Sequence, residues 1–99
     1  MTLLFFVYTI IVRFVYDPYK LASNVCKHLV WFDIAKDFEW ESARITVDNR
    51  NYYAETRFEA IGYIGNRLYV MVFCLRETTL RLISLRKANL REIKRYAQT

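Results

Sequence analysis

Leu21, Ala22, Val25, Cys26 and Leu29 recur at helical spacing, with Lys20, Asn24, Lys27 and His28 mostly outside that stripe. The spacing predicts an amphipathic helix running to about His28. Asp17-Pro18 marks its start, since Asp accepts from free amides and Pro at the first helical position has no N–H to lose. Arg13 to Tyr16 ahead of it reads as a strand. A second short helix is predicted from Asp33 to Phe38, opened by Asp33, before the polar Glu39 to Ser42 breaks the pattern. Ala43 to Val47 reads as a short strand, and Asp48-Asn49-Arg50-Asn51 as a turn of residues that tolerate unusual backbone angles.

From Arg57 the pattern becomes an antiparallel meander: Arg57 to Ile64, a tight Gly65-Asn66 turn, Arg67 to Leu75, then Leu80 to Leu85. The middle strand is apolar on both faces, as a central strand covered on each side would be. Asn89 caps a last helix in which Leu90, Ile93, Tyr96 and Ala97 face inward and Lys87, Arg91, Lys94 and Arg95 outward. The fold class expected is α+β. It comprises an antiparallel sheet of about four or five strands, two helices in the N-terminal half and one at the C-terminus. Residues 1–99 carry no repeat or linker and read as one domain.

Thr2 to Val12 is an uncharged apolar run, shorter than the roughly 20 residues a spanning helix takes, and it lacks the positive opening of a secretory signal. Its β-branched and aromatic content suits a strand or core cover. Translated upstream sequence and a membrane-surface anchor are the other readings of this extension. The anchor is disfavoured because the run has no polar face, so no stable membrane association is expected.

With 55% hydrophobic residues, two Gly and one Pro, the chain of 99 residues folds, but it is too short for several domains. The net charge of +5 is local: residues 76–99 hold seven basic and two acidic side chains, while residues 1–75 balance. A basic end on a neutral body favours a polyanionic partner such as nucleic acid. Cys26 and Cys74 lie far apart, which argues for free buried thiols in a reducing, cytoplasmic compartment. With one His and two distant Cys, a zinc site cannot be assembled without carboxylates, so no metal site is expected.

Tyr16-Asp17-Pro18-Tyr19-Lys20, Asn24, Lys27-His28 and Val30-Trp31-Phe32 resemble the opening of the BrnT toxins, small RelE-like ribonucleases of type II toxin–antitoxin systems. Glu55-Thr56-Arg57 resembles that family's Glu-x-Arg ahead of a strand, Gly62 its strand glycine, and Arg81 to Ala88, then Glu92 and Tyr96, its final strand and helix. The resemblance spans residues 13 to 97. Leu29 stands where the family usually has Gly and Leu85 where it usually has Ala, and residues 1–12 have no counterpart. Gly commonly supplies the left-handed helix end, so Leu29 bears on the turn after the first helix.

The resemblance implies a RelE-like scaffold that cleaves messenger RNA without a cofactor, inhibits translation, and is neutralised by a BrnA-like ribbon-helix-helix antitoxin. Metal-free cleavage uses the 2′-hydroxyl as nucleophile, so the protein must move two protons and stabilise charge on phosphate. Arg57, Arg81 and Arg86 are candidates for the phosphate, because the guanidinium fork stays charged and binds two oxygens. A regular strand would send Arg81 and Arg86 to opposite faces. His28 is the candidate acid or base, or else a partner of the helix-end carbonyls. Glu55 is a possible base, or an ion-pair partner that orients Arg57, and Ser84 bonds substrate or closes the strand. Lys27 and the stripe Lys87, Arg91, Lys94 and Arg95 are candidate RNA-backbone contacts or solvated cations. Tyr52 and Tyr53 are candidate base-stacking platforms, or pack on the sheet. The rival function is a non-catalytic nucleic-acid- or protein-binding module on the same scaffold.

Overall fold

The structure, a computed structural model, describes residues 13–49 and 54–98, so the apolar extension and the paired tyrosines Tyr52 and Tyr53 lie outside the described residues. Strands β1 (Arg13–Tyr16), β2 (Arg44–Asp48), β3 (Arg57–Ile64), β4 (Arg67–Arg76) and β5 (Thr79–Lys87) form one sheet in the order β1-β5-β4-β3-β2. Helix α1 (Pro18–His28) follows β1, and α2 (Leu90–Ala97) follows β5. The sheet is mixed rather than antiparallel throughout, because the first strand joins the edge beside the last and runs parallel to it, Arg13 opposite Thr79.

Asp17 accepts from the Tyr19 amide at 2.8 Å and Pro18 opens α1, as the sequence predicts. The second helix is instead a 3-10 turn over Phe32–Asp37, followed by another at Trp40–Ser42. Phe32, Ala35 and Phe38 are all buried, and their spacing of three matches a helix with three residues per turn. Phe38, Trp40, Phe73 and Phe58 then form a chain of ring contacts with centroids 4.6, 5.5 and 5.6 Å apart. These rings cover one face of the sheet together with Ala60, Met71, Leu80, Leu82 and Leu85.

On the opposite face Ile61, Leu68, Val70 and Ala88 pack against Ile93 and Tyr96 of α2. Buried side chains run unbroken from Val70 to Cys74, as a strand covered on both faces requires. The inward set of α2 is corrected: Leu90 is 66% exposed and Ala97 is exposed, while Glu92 is buried. Glu92 goes inside because Arg86 meets it there with two bonds of 2.8 and 2.7 Å, and Asn89 and Glu92 cap the helix reciprocally.

The stripe of α1 is corrected too. Ala22, Cys26 and Leu29 are exposed, Leu21 and Val25 half-buried, and Asn24 is the buried residue. β1 pairs only with Thr79 to Leu82, which leaves the later β5 backbone open on that side. The Asn24 amide donates to the Leu85 carbonyl at 2.6 Å and accepts from the Leu85 amide at 3.0 Å, and it donates to the Val30 carbonyl at 3.0 Å. One polar side chain thus fixes α1 to β5 where a further strand would otherwise pair. Both thiols are free, but Cys26 is exposed and only Cys74 buried. No helix among the described residues is long and apolar enough to cross a membrane.

Candidate functional site

A β-bulge decides which arginines share a face. On β5, Ser84 pairs with Val72 and Leu82 with Phe73, so Ile83 is the extra residue. Arg81 pairs with Cys74 and Arg86 with Val70, and Val70 lies on the α2 face of the sheet. Arg81 and Arg86 therefore point the same way, against the expectation from a regular strand. Arg57, the first residue of β3, precedes the Phe58–Phe73 pair and stands beside Cys74 on that same face.

Between α1 and this face lies a cleft of about 410 Å³ that brings Lys20 and Lys27 of α1 together with His28, Arg57 and Ser84. Lys20 and Lys27 are seven residues apart, two helical turns, and so share one side of α1. Arg57 and Lys20 also border a second cavity of about 330 Å³, which holds Glu55, Cys74 and Arg81. The sequence candidates therefore divide. His28, Lys27 and Ser84 meet Arg57 in the first cavity, and Glu55 and Arg81 meet it in the second.

Arg86 borders neither cavity and is committed to Glu92. That pair holds the Glu92 carboxyl below its ordinary value, mainly through the Arg86 bonds and with help from the Asn89 amide, against the opposing effect of burial. Glu55 bonds Arg76 across the strand end, and the Arg76 guanidinium lowers its pKa. Cys74 is 5% exposed, and burial and its bond to Glu55 raise its thiol pKa, so it remains protonated at neutral pH. Burial, Arg86 and Lys27 lower the pKa of His28, in that order, which keeps the imidazole neutral at pH 7. A neutral imidazole accepts a proton and does not act as a cationic cap on the helix carbonyls.

Lys87, Arg91, Lys94 and Arg95 are exposed along the β5 end and α2. Arg95 borders a third, separate cavity of about 220 Å³ with Arg44, Thr46, Glu59, Ile61 and Tyr96. The Arg44 guanidinium sits over the Tyr96 ring at 5.1 Å from its centroid. No three His, Cys, Asp or Glu side chains converge as a metal site would need among the described residues.

Lys20 is the site residue that the sequence reading passed over, although its seven-residue offset from Lys27 already put both on one helical side.

The family model described as "Ribonuclease toxin, BrnT, of type II toxin-antitoxin system" matches residues 16–92 of the chain. None of the curated proteins matches it.

Proposed function

As the chain belongs to the BrnT family of ribonuclease toxins of type II toxin–antitoxin systems, we propose that it is a metal-independent endoribonuclease on a RelE-like scaffold. The carrying observation is the cleft that gathers Lys20, Lys27, His28, Arg57 and Ser84 from α1, β3 and β5. Arg57 holds the scissile phosphate and stabilises the extra negative charge of the transition state, an electrostatic contribution of about 3–4 kcal/mol in comparable sites. Neutral His28 takes the proton from the 2′-hydroxyl as its oxygen attacks phosphorus. The bond from phosphorus to the 5′-oxygen breaks, water protonates that oxygen, the hydroxide left behind takes the proton from the His28 imidazolium, and the products are a 2′,3′-cyclic phosphate and a 5′-hydroxyl.

RNA cleavage inhibits translation, and a cognate ribbon-helix-helix antitoxin of BrnA type relieves it by binding the toxin. Ser84 bonds the phosphate, and Lys27 attracts the strand. The test incubates end-labelled single-stranded RNA with the chain in EDTA, beside Arg57→Ala and His28→Ala. The expected result is cyclic-phosphate ends with the wild type and a loss of about 100-fold or more in each variant. RNA that binds but stays whole, with ribosomes present or absent, would favour the non-catalytic module instead.

A further inference from the structure

The two cavities that meet at Arg57 are differently furnished. The first holds His28, and the second holds Arg81 but not His28, while Lys20, Arg57 and Ile83 border both. Arg57 on β3 and Arg81 on β5 are separated by β4, with the buried, protonated Cys74 between them. Strands stand about 4.8 Å apart, so the bases of these two side chains are about 10 Å apart. Arg81 is exposed, and the adjacent Glu55 carboxylate is engaged by Arg76.

We infer that the two cavities form one groove that binds two consecutive phosphates of a single RNA strand. The scissile phosphate lies at Arg57 and His28, and its neighbour lies at Arg81, with Lys20 on the wall between them. This deepens the proposed ribonuclease reading by assigning Arg81 a substrate-positioning role in place of one at the reacting atoms. The chemistry recognised is a backbone anion, so the contact holds register on the strand and reads no base.

The test pairs changes in protein and substrate. Short 2′-O-methyl oligoribonucleotides, which bind but cannot react, carry either phosphates throughout or a neutral methylphosphonate on one or the other side of the cleavage position, three molecules in all. Their affinity is measured for wild type and for Arg81→Gln, whose fold is checked by circular dichroism. One of the two neutral linkages should weaken wild-type binding by about tenfold, the value of one charge-assisted bond, and leave binding by Arg81→Gln unchanged. Equal binding of all three oligonucleotides by wild type, or the same tenfold loss in Arg81→Gln, overturns the inference. Cleavage of the unmethylated RNA is followed in parallel. Cleavage with a flat binding series removes the second phosphate site alone, whereas the expected binding series without cleavage removes the enzyme reading and leaves the groove standing.

Discussion

Leu29 ends α1 at φ 58 and ψ 34, a left-handed geometry in which a Cβ crowds the backbone, and its side chain is 83% exposed. Leu29→Gly is therefore expected to stabilise the fold by about 1 kcal/mol, read as a higher urea midpoint at unchanged slope. That strain was legible in the sequence as a Leu at a position the family usually gives to Gly. The state of His28 was not, because it depends first on burial and then on Arg86, which lies far along the chain but close in the fold. As burial, Arg86 and Lys27 lower the imidazole pKa, kcat/KM should fall on the acid side with an apparent pKa below the ordinary 6.5. Removing a cation favours the protonated form, so Arg86→Gln should move that acid limb upward toward 6.5, as a pH–rate profile would show. An unmoved limb would detach His28 from the chemistry.

Among the elements, the bounds of α1, β3 and β4 were readable nearly to the residue, since the α1 cap and the Gly65 turn are local signals, whereas the buried side of α1 was not, because Asn24 goes inside to bond the β5 backbone. The partner of β1 was not, because pairing of the first strand with the last leaves no local trace. Nor was the Ile83 bulge, which alone puts Arg81 and Arg86 on one face. The docking of α2 depends on Arg86 and Glu92, and its pH dependence follows. A carboxyl whose folded pKa lies below the unfolded 4.5 contributes stability that is complete above 4.5 and is lost as pH falls through the folded value. Glu92→Gln should lower stability at pH 7 and flatten the decline below pH 4.5, measured by urea unfolding across that range. Gly62 limits β3 differently: a Cβ there would stand 2.7 Å from Phe38 Cζ and 3.1 Å from Ala43 Cβ. Gly62→Ala should cost about 1–3 kcal/mol through displacement of the Phe38 ring, seen as a lowered melting temperature.

At the scale of the whole molecule, the cleft draws on both the balanced and the basic part of the chain. Lys20, Lys27 and Arg57 come from residues 1–75, whose charges cancel, and β5 adds Ser84 and, in the second cavity, Arg81 from residues 76–99, which hold the basic excess. α2 packs on the same sheet face that forms the cleft floor and exposes Arg91 and Lys94, whereas Lys87, the last residue of β5, pairs with Tyr69 and so lies on the opposite face. On the proposed reading, Arg91 and Lys94 act on RNA that extends past the cleft and not on a strand short enough to end inside it. Each phosphate contact on a single strand contributes about −0.7 to the slope of log affinity against log salt. Replacing Arg91 and Lys94 by Gln should therefore reduce the steepness of that slope by about 1.4 for a long RNA and leave the slope for a trinucleotide unchanged. Filter binding across a salt series measures both. A slope that falls equally for both lengths would place these side chains within the groove, and one that falls for neither would make α2 a solvated face turned away from RNA.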